Sequence, residues 1–259
     1  MKKLMQLKKF IIANFLIVNY VIFAFLGKFF ITNPLDRRKF FIKHVSRQSK
    51  ILLKIIDINL TLENAHNFKA EKNYLILANH LSYLDVLLLS ATKPSCFITS
   101  VEIKNTPGLG LLTELGGCLY VERRDKSNIS NEIKEITDAL RDGLNVVIFP
   151  EATSTNGSSV LPFKRSLLTA AIEAEKNILP ITIQYSSIND TKVTSENRDY
   201  LCWYDDMDFL PHLYALMSKE KINISLKISE EIPVDKNSAR DFLAEKAYAS
   251  IVASYQPLI

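Results

Sequence analysis

Cysteine is scarce in this 259-residue chain: Cys96, Cys118 and Cys202 are odd in number and lack the spacing of a metal-ligand set. Neither a disulfide framework nor a zinc site follows, and a reducing compartment is the default. Glycine (seven) and proline (nine) are also few, which excludes collagen-like and low-complexity chains. There is no internal repeat, so solenoids and propellers drop out. Acidic residues are nearly missing from the first fifty positions, where Asp36 stands alone among eleven Lys and Arg. With 47% apolar and 23% charged residues, the chain is neither disordered nor a polytopic membrane protein. Its length allows one large domain or two small ones.

The basic character belongs to one end. The overall net charge is +4, but residues 1–50 carry +10 and residues 51–259 carry −6. A basic end suits nucleic acid or an anionic membrane, and the residues between the charges favour the membrane. Phe10 to Gly27 is an eighteen-residue run without a charge. As a helix it would be about 27 Å long, close to the ~30 Å hydrocarbon core. Lys2, Lys3, Lys8 and Lys9 flank it on one side, and Lys28, Arg37, Arg38 and Lys39 on the other, so the charge rule gives no orientation. The alternatives are a buried core helix and a signal peptide, although no small-x-small cleavage site follows. Arg37 to Ile55 then reads as a basic amphipathic helix for the headgroup layer, or else a surface helix packed on the domain. Residues 1–54 are therefore expected to form a membrane anchor and amphipathic helix, and residues 55–259 the globular part.

That part alternates strand and helix. Strands are expected at Ile55–Leu60, Tyr74–Ala78, Cys96–Thr99, Cys118–Val121, Val146–Phe149, Ile178–Tyr185 and Ile222–Ile228. Helices are expected at Tyr83–Ala91, over Ile129–Leu140 with Ser130 as cap, at Leu167–Glu175, and at Ala239–Val252 with Ser238 as cap. The fold class is α/β, a mixed sheet flanked by helices behind an N-terminal membrane-associated helical segment.

Three segments carry chemistry. Asn79-His80-Leu81-Ser82-Tyr83-Leu84-Asp85 lies between an apolar strand and a helix. A turn there can bring the His80 imidazole to the Asp85 carboxylate, which would fix the tautomer and leave the other nitrogen as a general base. The plainer alternative is a helix cap with Asp85 favouring the positive helix end. His44, His66 and His212 have no such neighbourhood and read as structural or surface residues. Phe149-Pro150-Glu151-Ala152-Thr153-Ser154-Thr155-Asn156-Gly157 follows another apolar strand, as a polar binding turn or an ordinary Asn-Gly turn. Gly117 to Arg124 ends a strand in two arginines, suited to bidentate phosphate binding or to surface salt bridges.

Together the segments resemble the glycerolipid acyltransferase family, which includes the 1-acyl-glycerol-3-phosphate acyltransferases. His80 and Asp85 match its His-x4-Asp block, Gly117 to Arg123 its second block, and Phe149-Pro150-Glu151-x-Thr153 its third. Leu179-Pro180-Ile181 looks like the fourth. The blocks stand in the family's order over about residues 70–190. Ala152 replaces the usual Gly of the third block, Ser154 stands where many members have Arg, and Ser100 where several have Lys. The last two changes remove possible phosphate ligands. Asn156-Gly157 and Trp203–Met207 are more similar to a branch that includes lyso-ornithine-lipid acyltransferases.

The resemblance implies a glycerol-3-phosphate acyltransferase-like fold and transfer of a fatty acyl group from a coenzyme A or acyl-carrier-protein thioester to a lysophospholipid hydroxyl, most directly that of 1-acyl-glycerol-3-phosphate. His80 would be the general base and Asp85 its orienting partner. Arg123, Glu151 and Thr153 would hold the acceptor headgroup. The partners implied are membrane lipids, the lysophospholipid and the acyl donor, with no nucleic acid. The place implied is the cytoplasmic side of a bacterial inner membrane. No tightly bound cofactor and no metal are expected. Ala152 is expected at negative φ, because a Cβ in the left-handed region costs roughly 1 kcal/mol or more. A membrane-bound esterase or thioesterase is the rival enzyme, and the chain lacks its Gly-x-Ser-x-Gly elbow. The rival of another class is a non-catalytic, membrane-docked lipid-binding protein.

Overall fold

The computed structural model describes residues 2–122 and 127–259. Two long helices come first, α1 (Lys2–Phe30) and α2 (Pro34–Ile55). The turn between them is set locally. Asn33 Oδ1 accepts from the backbone N–H groups of Leu35 and Asp36, and Pro34 takes the first helical position. Gly27 lets the two helices approach closely, since a Cβ there would run into the Phe40 ring.

By length and composition α1 could cross a membrane. It has two faces. Ala13, Ala24 and Gly27 are buried, and Phe10 packs against the core that holds Ala13. Ile11, Phe15, Val18, Ile22 and Phe29 remain outside, with Phe15 69% and Phe29 80% exposed. The helix is held near both of its ends. Gln6 Nε2 donates to the Tyr214 carbonyl at 2.8 Å, and Lys28 Nζ meets Glu114 at 2.6 Å. Between them the Tyr20 hydroxyl donates to the Leu112 carbonyl at 2.9 Å. Thus α1 lies along the globular part instead of projecting from it. α2 buries Phe41, Ile42, Ser46, Ser49 and Leu53, packing against α1 and α3 (Leu84–Thr92). Its apolar stripe is used inside the protein, as a packed surface helix would use it, while Lys43, Arg47, Lys50 and Lys54 face out.

Among the described residues eight strands form one mixed sheet. They are β1 (Ile58–Glu63), β2 (Leu75–Ala78), β3 (Ser95–Ser100), β4 (Leu119–Val121), β5 (Asn145–Ile148), β6 (Ile178–Ile188), β7 (Thr191–Lys192) and β8 (Ile222–Ile228). The spatial order is β1-β8-β6-β2-β5-β3-β4, with β7 paired to β6. β6 runs antiparallel to β8 and β7, and the other pairings are parallel. β2 and β5 are buried at every position, as parallel strands covered on both faces should be. β8 alternates buried and half-buried residues, following its INISLKI pattern. The remaining helices are α4 (Val101–Asn105), α5 (Leu109–Leu115), α6 (Ile129–Arg141), α7 (Thr169–Ala174), α8 (Phe209–Leu216) and α9 (Arg240–Ser254).

Several boundaries differ from the sequence reading. β1 begins at Ile58, not Ile55, because α2 runs on and Asp57 turns the chain at φ 63°. Ser130 lies inside α6, whose cap position is Asn128. Ser238 hydrogen-bonds Asp235, and Ala239 takes the cap position of α9. The helix expected over 167–175 divides into a 3-10 turn and α7, ended by left-handed Glu175.

Candidate active site

β2, β5 and β6 run parallel, so their C-terminal ends open on one edge of the sheet. The turn after β2 lies there, and every residue from Asn79 to Ser82 is tied down. The Asn79 side chain makes two bonds to the backbone of Ile183 on β6, at 2.7 and 3.0 Å. The His80 N–H donates to Glu151 Oε1 at 2.7 Å, and the His80 carbonyl accepts from the Thr155 N–H at 3.0 Å. The Leu81 carbonyl accepts from the Trp203 N–H at 2.9 Å.

The same turn brings His80 to Asp85. His80 Nδ1 lies 2.9 Å from Asp85 Oδ2. A carboxylate accepts, so Nδ1–H donates and Nε2 keeps its lone pair. Asp85 is wholly buried in the first turn of α3. Its Oδ2 also accepts from the N–H groups of Leu81 (2.6 Å) and Ser82 (2.9 Å), and its Oδ1 from the Tyr185 hydroxyl at 2.7 Å. Four donors hold the buried carboxyl group in a fixed place. The His80 ring stacks on Phe149 with centroids 4.0 Å apart and planes 11° apart, and it remains 20% exposed.

The segment after β5 meets this turn from the other side. Glu151, expected at the headgroup, is buried and braces backbone. Its Oε1 takes the His80 N–H, and its Oε2 takes the Leu161 N–H at 2.7 Å. Burial pushes its carboxyl up to about 7, opposed by those two N–H groups. Thr153 is exposed, its hydroxyl 3.3 Å from the Ser154 carbonyl. Ala152 corrects the sequence expectation: φ is +61°, not negative. The tight turn that closes with the Ala152 N–H on the Phe149 carbonyl holds it in the left-handed region despite its Cβ. Gly157 ends the segment at φ +78°, where a Cβ would strike Leu258 and the Tyr255 hydroxyl.

Arg123 lies outside the described residues. Ser100 is buried and caps α4 with its hydroxyl. Pro180 of the fourth block sits in β6 opposite Leu77. Among the described residues no group of three or more His, Cys, Asp or Glu stands together as a metal site requires.

Two side chains outside the motifs support the turn, one unmarked in the sequence and the other the His212 expected to be structural or surface. Tyr185 ends the alternation Ile181, Ile183, Tyr185 on β6; a buried tyrosine at an apolar position needs a hydroxyl partner, and here that partner is Asp85. His212 is the other. Its Nε2 lies 3.0 Å from the Cys202 carbonyl, so it carries the proton there, and Nδ1 accepts from the Tyr83 hydroxyl at 2.9 Å. Burial lowers its pKa, which favours this neutral form.

The Acyltransferase family model matches residues 59–184. The 1-acyl-sn-glycerol-3-phosphate acyltransferase of Neisseria gonorrhoeae is 30% identical over 179 residues, covering 69% of this chain and 68% of that one. This chain belongs to the acyltransferase family. The lyso-ornithine lipid O-acyltransferase of Rhizobium meliloti is also 30% identical, over 64% of this chain, and the match spans 59% of that relative's length. The crystal structure of the 1-acyl-sn-glycerophosphate acyltransferase of Thermotoga maritima superimposes with a TM-score of 0.66 over 97% of this chain and 96% of that one, at 20% identity. That likeness places this acyltransferase-family chain in the same fold.

Proposed function

We propose that the protein transfers a fatty acyl group from a coenzyme A or acyl-carrier-protein thioester to the free hydroxyl of a lysophospholipid at a membrane. The observation that carries this reading is the His80–Asp85 pair at 2.9 Å, with Nε2 left for a substrate, in a chain of the acyltransferase family. His80 Nε2 removes the hydroxyl proton as the oxygen attacks the thioester carbonyl. The tetrahedral intermediate collapses with loss of the thiolate, which takes the proton back from His80. Asp85 holds the imidazole in the required tautomer and faces the imidazolium as it forms. A thioester is already activated, so no acyl-enzyme is needed. General-base assistance is worth roughly 10²–10⁴ in rate, and the fixed turn supplies positioning for the rest.

Glu151 acts here through the His80 backbone. The headgroup falls to Arg123 and Thr153. 1-Acyl-glycerol-3-phosphate is the first acceptor to test. Ser154 and the capping role of Ser100 leave two family phosphate positions without a cation, which supports a lyso-ornithine lipid as the second.

α1 supports placement in one leaflet. A helix crossing the bilayer away from its domain would keep one end against it, whereas α1 is held near both ends and turns an apolar face outward. The catalytic domain then faces the cytoplasm at a bacterial inner membrane, where the thioester donors are soluble.

The test is a mass-spectrometric assay of the full chain with both donors and a panel of lysolipids. Acylated product is expected from one acceptor class. His80→Ala should abolish turnover while leaving folding and membrane binding intact, and Asp85→Asn should lose roughly 10²–10⁴. Normal turnover by His80→Ala would end this mechanism.

A further inference from the structure

α8 carries two unusual exposures. Leu210 is 64% and Tyr214 43% exposed, four residues apart and so on one face. Among the described residues nothing covers Leu210, and Tyr214 is only partly covered, so this eight-residue helix keeps an open apolar edge. That edge adjoins α1 at the half-buried flank of Phe10, one turn from the exposed Leu7. The Tyr214 ring meets Phe10 of α1 edge-on at 5.4 Å, and the Tyr214 carbonyl accepts from Gln6. Lys9 reaches past them to the Lys219 carbonyl at 2.9 Å. Beside this junction Leu4, Leu7 and Ile11 of α1 are exposed. Tyrosine and leucine next to lysines are the composition of an interfacial contact. Asp205, Asp206 and Asp208 precede the helix and are exposed, which limits the contact to a shallow depth.

The opposite side of α8 faces the catalytic turn. Phe209 packs edge-on to Tyr83 at 4.9 Å, and His212 receives the Tyr83 hydroxyl. Tyr83 lies between His80 and Asp85, next to the first residue of α3.

We propose that α8 is a second membrane-seated element: its Leu210–Tyr214 edge enters the phospholipid interface beside α1, and its inner face transmits that seating to Tyr83 in the catalytic turn. The occupant is a lipid leaflet, because the edge meets α1 at the turns that expose Leu4, Leu7 and Ile11, where α1 turns its own apolar face outward. The proposal rests on the reading of α1 as lying in one leaflet. It makes α8 the wall past which a bilayer-borne acceptor reaches His80.

The experiment separates the two readings. Three tryptophan variants of the full chain are reconstituted in phosphatidylcholine–phosphatidylglycerol vesicles with brominated acyl chains: Phe15→Trp, Leu210→Trp and Lys236→Trp. Lys236 pairs with Glu175 at the opposite edge of the sheet, and Trp203 gives the same background to all three. Fluorescence of the Phe15 and Leu210 variants should be roughly halved relative to unbrominated vesicles, with Lys236→Trp unchanged. Quenching of Phe15→Trp without Leu210→Trp overturns the proposal and leaves the α1 reading standing. Quenching of neither overturns both. Equal quenching of all three means indiscriminate adsorption and also overturns the proposal. Transmission to the turn is read with Leu210→Asp. Its KM for acceptor in vesicles should rise on the order of tenfold against its KM for a short-chain dispersed acceptor. An unchanged ratio overturns the coupling.

Discussion

Ala152 sits at φ +61° in a turn where relatives of this family are expected to carry glycine. The left-handed region costs a residue with a Cβ roughly 1–2 kcal/mol, so Ala152→Gly should raise stability by about 1 kcal/mol, some 2–4 °C in a thermal melt. A lower melting temperature would mean that the Ala152 methyl packs usefully. Its neighbour gives a pH test. The folded chain holds a proton on Glu151 up to about 7 that the unfolded chain releases near the ordinary 4.5. Below 4.5 this group's stabilisation is complete, and it is lost as pH rises toward 7. Denaturant titrations should show that slope in the wild type and lack it in Glu151→Gln. The amide also leaves one of the His80 and Leu161 N–H groups facing an NH₂, so it should cost about 1–3 kcal/mol throughout. His80 and Asp85 were legible in the sequence because they are five residues apart and one turn joins them. The partners of Glu151 were not, because they are backbone N–H groups delivered by distant segments and carry no side-chain signature. Tyr185 was hidden for a related reason: on a β-strand it reads as one more core position.

The helices divide by what their patterns could show. α6 has apolar spacing against a polar face, α9 buries Leu243, Ala244, Ala247 and Ile251 at helical spacing while Phe242 and Val252 stay exposed, and both were expected near their observed places. α5 and α8 are short and apolar on most sides, so no periodicity marks them. α1 was visible as an apolar run, but its second role was not. Its inner face covers Phe41 and Leu115, and Tyr20 and Lys28 bind α5. Removing residues 1–30 should therefore yield an aggregating chain, not a soluble domain. Each large side chain fully re-exposed costs about 1.5–3 kcal/mol. Gel filtration without detergent checks this, and a monodisperse monomer would show that α1 is a dispensable tether. High salt alone should leave the intact chain on membranes, because apolar burial holds it and the Lys28–Glu114 pair is exposed.

Across the whole molecule, the alternation of strand and helix revealed the α/β class. The sheet order did not follow from it, because nothing local says that β1 pairs with β8, more than 150 residues later. The site shares this long reach. Gly157 stays in place because its carbonyl accepts from the Tyr255 hydroxyl at 2.7 Å and the Leu258 N–H at 2.8 Å, while Arg198 holds the Leu258 carbonyl. Removing residues 255–259 should leave the sheet's circular dichroism intact and lower turnover at least about tenfold, the equivalent of one or two such bonds. Unchanged turnover would separate the tail from the turn. The clasp also sets an order of events during synthesis. α1 leaves the ribosome ahead of the other described elements and is long and apolar enough to enter a bilayer, yet the last clasp on the Gly157 turn exists only once Leu258 has emerged. At 5–20 residues per second the interval is on the order of 10–45 s. Throughout it the Gly157 turn lacks its clasp, so translation itself keeps time for the fastening of this last part of the candidate site.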